Sequence, residues 1–307
     1  MSVQNNAPSR EIPPAATVVG PMVSSATPAG TGQEPAWADD SASVRRHKRR
    51  VNILRVLVAV FILAGWEIAA RTGLIDSFFF GQPSQVVVQM WTWATEGTAQ
   101  GSLWEQIFVT MEEAVLGFLI GSVLGVVLGV LLARNRLLAE VFGPYIKMAN
   151  SVPRVVLGSI FIIWLGLGLP SKVALAVVLV FFAVFFNAFQ GVREVDRNLI
   201  ANARLLGASS WQLFTNVILP SALTWIIASL HVSFGFALVG AIVGEYLGAI
   251  KGLGLLIATA QGSFNPNGVF AAMIILAVVA LVAESLVTLL ESVLIKWRPT
   301  PLSEAGL

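Results

Sequence analysis

Long apolar runs alternate with short polar or glycine- and proline-containing breaks along most of the chain. The runs cover approximately residues 52–71, 107–133, 144–167, 172–192, 221–248 and 269–295. An α-helix needs about 20 mostly apolar residues to cross a bilayer. The pattern therefore predicts six transmembrane helices and an all-α integral membrane bundle. The third and fourth runs are joined by Leu167-Gly168-Leu169-Pro170-Ser171, whose Gly and Pro predict a tight turn. Between the first two runs, Pro83-Ser84-Gln85 leads into Val86, Val87, Val88, Met90, Trp91 and Trp93. That segment predicts a short helix anchored by tryptophans at the membrane interface.

Composition strengthens this picture. The chain is 56% hydrophobic and 12% charged, whereas soluble domains carry about 25% charged residues. That leaves too little polar surface to coat a soluble body of 307 residues. There are no cysteines, and the only histidines are His47 and His231. Disulfides, thiolate zinc sites, cysteine nucleophiles and histidine-rich metal centres are thereby excluded.

Charge placement sets domain organisation and orientation. Residues 1–44 are rich in Pro, Ala, Ser, Thr and Gly and are followed by the cationic run Arg45, Arg46, His47, Lys48, Arg49, Arg50. A disordered tail with a basic flank is expected over 1–50. Because an apolar span follows at once, the run reads as a membrane flank and not as a nucleic-acid site. The first span and its external segment occupy 51–106, a core 107–295, and a short tail 296–307. With the N-terminus in the cytoplasm, Arg134, Arg136, Arg193, Arg197, Arg204, Lys296 and Arg298 all fall inside. Only Arg71, Lys172 and Lys251 then lie outside, so both termini are expected to be cytoplasmic.

Within the spans, two kinds of residue stand out. Gly117, Gly121, Gly125 and Gly129 recur every four residues, and Gly240 and Gly244 repeat the device. Small residues on one helix face let a neighbouring backbone approach closely, so these positions are expected to pack helices. Polar groups inside a span are costly and point to a transport path. Asn187, Gln190, His231, Glu245 and Arg154 are the candidates. A structural role for His231, and an interfacial anchoring role for Arg154, compete with that reading. Glu112 and Glu113 open the second span and read as solvated.

The loop at 193–220, REVDRNLIANARLLGASSWQLFTNVILP, carries the mechanism. A first short helix is expected from Asp196 to Leu206, broken by Gly207. Ser209 and Gln212 have capping-box spacing for a second helix, which carries Trp211, Phe214 and Val217 together. Pro220 marks the start of the fifth span. Such a hairpin suits docking into a groove of a soluble partner.

Ala203, Arg204, Leu206, Gly207, Ala208, Ser209, Gln212, Phe214, Val217, Leu219 and Pro220 resemble the EAA loop of binding-protein-dependent ABC importer permeases. The motif's Glu and first Ala fall at Ala201 and Asn202, so its acidic contact is missing. Trp66-Glu67, Pro83-Ser84, the Gly117 helix, Pro153-Arg154, Gly166-Leu167-Gly168, Gly252-Leu253-Gly254 and Lys296-Trp297-Arg298 are similar to the nitrate, sulfonate and taurine branch. The resemblance covers roughly 51–300. It implies a type I importer bundle in the bacterial inner membrane, working as a homodimer. It also implies a separate ATP-binding subunit docked on the loop and an extracytoplasmic solute-binding protein. No G-x-x-x-x-G-K-[ST] stretch is present, so ATP is expected to bind the partner and no catalytic residue or cofactor is assigned here. An aliphatic sulfonate, taurine or nitrate-like anion leads as substrate, ahead of a pyrimidine or amino-acid-like solute. A secondary transporter would show repeated halves and charged midplane residues, and a membrane enzyme a constellation of acids, bases or ligands.

Overall fold

The computed structural model describes residues 37–294, all helical apart from turns and one bridge between Thr98 and Gly101. Two compact units are distinguished, residues 1–58 and 59–307. The helices are α1 (Trp37–Arg71), α2 (Ser77–Phe80), α3 (Pro83–Thr95), α4 (Leu103–Arg134), α5 (Arg136–Ser151) and α6 (Arg154–Leu165). They continue as α7 (Leu169–Arg193), α8 (Arg197–Leu205), α9 (Ser210–Leu213), α10 (Leu219–Leu247), α11 (Leu253–Gly262) and α12 (Pro266–Leu294). Among the described residues, five stretches are long and apolar enough to cross a membrane, and six if α5 and α6 count as one broken span.

In the first unit, the helical stretch 37–58 exposes Ile53, Leu54, Val56 and Leu57, as a lipid-facing helix does. Helix α1 starts at Trp37, inside the stretch expected to be disordered. No proline follows Pro35 until this helix has ended, so the backbone can stay helical. The rest of the expected tail, 1–36, and the closing Lys296-Trp297-Arg298 lie outside the described residues.

The centre of the second unit is a three-helix contact of α4, α7 and α10. Helices α4 and α7 run parallel in a matched register: Gly117 lies against Ala176, Gly121 against Val180, Gly125 against Val184 and Gly129 against Ala188. Helix α10 runs antiparallel to α7, with Gly191 against Trp225 near one end and Gly240 against Ala176 farther along. Ala176 is thus held between Gly117 and Gly240. Membrane helices pack through such close approaches, because lipid supplies no hydrophobic drive between them. Val180, Val184, Phe234, Ala237, Leu238 and Ala241 fill the space around this contact.

Two of the expected elements differ in the structure. The apolar run 144–167 is not one straight span: α5 and α6 meet at an 88° bend. Pro153 has no N–H to give and keeps the residue before it out of helical conformation, and Val152 is extended at ψ 129. Nor does a new helix begin at Pro220. Ser210–Leu247 is one continuous helical stretch, with a π-helical turn over Phe214–Ile218. The Leu219 N–H donates to the Phe214 carbonyl five residues back. That widened turn lies where the ring of Pro220 would otherwise crowd the carbonyl four residues before it.

Candidate functional site

Three features carry chemistry: a hairpin at one end of the bundle, a cavity beside it, and a buried polar cluster towards the other end.

The hairpin is built from α8 and α9. Asp196 caps α8 by accepting from the Asn198 N–H at 2.8 Å. At its other end the Gly207 N–H donates to the Arg204 carbonyl and the Ala208 N–H to the Ala203 carbonyl, both at 3.0 Å. This pair of bonds is a Schellman turn, and it places Gly207 at φ 81, the left-handed region that glycine tolerates. Ser209 Oγ then accepts from the Gln212 N–H at 3.3 Å, and Gln212 Oε1 accepts from the Ser209 N–H at 2.9 Å. The reciprocal bonds fix where the second helix starts.

The hairpin has two faces. Leu205 and Leu206 are 85% and 89% exposed, Trp211 is 66% exposed, and Arg204, Gly207 and Ser209 are also at the surface. Leu213 is buried, and Phe214 packs with Val130, Ala188 and Val192 while the Arg134 guanidinium sits 3.9 Å over its ring. Trp211 and Phe214 lie together as expected, their ring centroids 5.9 Å apart, with Trp211 on the outer side and Phe214 anchoring the hairpin to α4 and α7. Ala203, Ala208, Val217 and Leu219 are half-buried, and Gln212 and Pro220 are exposed.

Beside the hairpin end of α7 lies a cavity of about 500 Å³. Its walls include Gly143, Lys147, Phe186, Asn187, Gln190 and Arg193. Asn187 donates to the Ala183 carbonyl at 2.8 Å, and Gln190 to Glu194 at 2.5 Å. Arg154 lies opposite Phe182, halfway along α7 and not at a span end, and donates to Asn150 at 2.8 Å. His231 is half-buried on α10 and does not line this cavity.

The polar cluster gathers Gln106, Thr110 and Glu113 of α4, Lys172 of α7 and Glu245 of α10. Gln106, Thr110, Lys172 and Glu245 are wholly buried and Glu113 is 2% exposed. Three successive backbone N–H groups at the start of α11 are taken by side chains of this cluster. Gly252 donates to Gln106 at 2.7 Å, Leu253 to Thr110 at 2.9 Å and Gly254 to Glu245 at 2.6 Å. Thr110 in turn donates to Glu245 at 2.6 Å. These are the donors that a helix start leaves unsatisfied, and a carboxylate there also complements the helix dipole. Lys172 donates to the Leu167 carbonyl, tying in the turn before α7. Glu113, which the sequence suggested was solvated, lies beside Glu245 and Lys172. Lys172, which read as an external flank, is among the most buried side chains in the described chain. Neither was singled out from sequence; the available signal was a lysine and a glutamate just inside apolar runs.

Glu245→Leu is expected to free the 248–254 turn. The Gly254 N–H would lose its acceptor, at a cost of about 1–3 kcal/mol for a buried donor. The melting temperature in detergent should fall and amide exchange at Gly252–Gly254 should quicken, with Glu245→Gln intermediate because it keeps one acceptor oxygen.

Comparison with known proteins agrees with this architecture. Residues 121–296 match the family model described as "Binding-protein-dependent transport system inner membrane component". The chain belongs to that family. It is 33% identical over 243 residues to SsuC of Bacillus subtilis, whose name assigns it to aliphatic sulfonate transport, covering 79% of this chain and 87% of that one. It is 32% identical over 239 residues to RibX of Chloroflexus aurantiacus, a riboflavin transport system permease, covering 78% and 88%. A crystal structure of an amino acid ABC transporter with histidines superposes with TM-score 0.51 at 20% identity, covering 62% of this chain and 92% of that one. That likeness supports the type I permease fold alone. The chain is thus an ABC importer permease of the sulfonate and taurine branch, a multi-pass protein of the inner membrane. Permeases of this kind work with an ATP-binding subunit and a solute-binding protein.

Proposed function

We propose that this chain forms the translocation path of an importer for aliphatic sulfonates or closely related small organic anions. The hairpin 197–213 carries the reading. It exposes Leu205, Leu206 and Trp211 at its surface while Leu213 and Phe214 root it in the bundle, so a push on the hairpin is passed to α4, α7 and α10. A separate ATP-binding subunit seats on it from the cytoplasm, and both termini lie on that side. Two copies of the chain enclose the path, and an extracytoplasmic binding protein delivers the solute. ATP drives the switch between inward- and outward-facing states because it favours one of them; equal binding to both would shift nothing. Asn187, Gln190 and Arg154 face the path, whereas Glu245 holds the α11 turn. ATP binds the partner, and this chain has no catalytic residue or cofactor of its own.

The names of the relatives divide between a sulfonate and riboflavin, and a growth test separates them. A strain lacking this gene is expected to stop growing on butanesulfonate as sole sulfur source while growing normally on sulfate. Unchanged growth on butanesulfonate, with loss of riboflavin uptake, would move the substrate to the flavin or pyrimidine class.

A further inference from the structure

We infer that the cavity between α5 and α7 is a site for the organic anion itself, with Lys147 and Arg193 holding the charged group and the phenylalanine wall taking the apolar body. The inference rests on the sulfonate-importer reading and adds a location and two residues to it.

The lining gives the chemistry. Lys147 and Arg193 are its only charged members, and both are cationic. Among the described residues neither is in an ion pair. Glu194, next to Arg193 in sequence, accepts from Gln190 at 2.5 Å and does not line the cavity. The Arg193 guanidinium sits 5.1 Å over the Phe189 ring, which limits where it can point. Ile146, Phe185, Phe186 and Phe189 supply the apolar wall. A net positive, largely apolar cavity of about 500 Å³ is within the usual range for a small-molecule site. It suits a solute with one anionic head and a short hydrocarbon body.

The position fits a transport step. Residues 182, 186, 189 and 193 of α7 recur at helical spacing and so share one face. Following that face away from the hairpin leads from the cavity to Phe182, where Arg154 lies with its guanidinium 6.0 Å from the ring. Arg154 also has no ion pair among the described residues, and its side-chain partner is the neutral Asn150. A charged group halfway along a membrane bundle is expensive and marks a route for ions. Cations from α6, α5 and α7 thus lie along one face of α7, Arg154 at mid-bundle and Lys147 and Arg193 at the hairpin end, and an anion released at Arg154 would next meet Lys147 and Arg193.

The chain has no cysteine, so a single introduced thiol reports on the cavity without background. Gly143 lines the cavity, and a Cβ there meets nothing within 4 Å. Gly143→Cys in the full chain, placed in phosphatidylcholine nanodiscs, is treated with N-ethylmaleimide. Asn187→Cys repeats the measurement from the facing wall, and Thr95→Cys, at an exposed position near the end of α3, is the control. Butanesulfonate at ten times its Kd leaves about a tenth of sites free, so labelling at both cavity positions is expected to slow about tenfold. Butylammonium should give no protection, and Lys147→Gln with Arg193→Gln should abolish that given by butanesulfonate.

Several results would overturn the inference. Protection by phosphatidylglycerol in the nanodisc, with no added effect of butanesulfonate, would assign the cations to a lipid headgroup. Thiols that never label would mean that the cavity is closed to small solutes. Equal protection in the Lys147→Gln, Arg193→Gln variant would also count against it. Growth on butanesulfonate is measured separately, so loss of the site leaves the importer reading standing.

Discussion

Gly117→Ala is expected to be strongly damaging to the α4–α7–α10 contact. A Cβ at position 117 would lie 2.3 Å from the Cβ of Ala176, and the next atoms of Ala176 are at 3.4 Å. Neither residue has a flexible side chain that can turn away, so α4 and α7 must separate along their whole parallel seam. Overpacking of a tight core costs about 1–3 kcal/mol, and a rigid backbone contact belongs at the upper end. The yield of folded protein and its melting temperature in detergent should both drop. Adding Ala176→Gly should recover most of the loss, because it removes the one atom in severe conflict.

Gly240→Ala provides the contrast. A Cβ there would meet the Ala176 Cα at 2.5 Å and its N at 2.9 Å, both of them backbone atoms. Ala176→Gly should therefore not rescue it. Rescue of both variants, or of neither, would mean that the α4–α7–α10 contact is arranged differently.

The period-four glycines show what was legible in the sequence. Periodicity reveals which residues share a face, and Gly117, Gly121, Gly125 and Gly129 do line the seam with α7. The hairpin was legible for a similar reason: its turn and cap are local, written in Gly207, Ser209 and Gln212. The polar cluster was not. Its members lie at 106–113, 172 and 245–254, and only the register of three packed helices brings them together. Seen singly, a charged residue near the end of an apolar run resembles a solvated flank. The same habit of reading kept Arg193 among the membrane flanks, although the fold brings it to one cavity with Lys147.

The broken third span is a different case. Pro153 stood in plain view, but hydropathy continues through it, and an average over twenty residues registers composition and not direction. Its 88° bend makes the cavity possible, because α5 leaves the line of α6 and stands beside the hairpin end of α7. The π-helical turn at 214–218 is equally invisible to residue patterns. It preserves a continuous helix from Ser210 to Leu247 despite Pro220, and thereby makes the hairpin an extension of α10. Under the proposed mechanism, that continuity would carry a displacement of α9 into the bundle through one helical stretch.

The most direct test of this account is co-purification of the tagged chain with its proposed ATP-binding subunit, comparing wild type with Gly207→Arg. Position 207 is exposed and open, so the new side chain has room, but φ 81 costs a non-glycine residue about 1–2 kcal/mol. The bulk of arginine would also stand on the face proposed to dock. Wild type should retain the ATPase subunit, and Gly207→Arg should lose it while still inserting in the membrane at a normal level. Full retention of the subunit by Gly207→Arg would contradict the account, because the hairpin would then not be where ATP hydrolysis meets the membrane bundle.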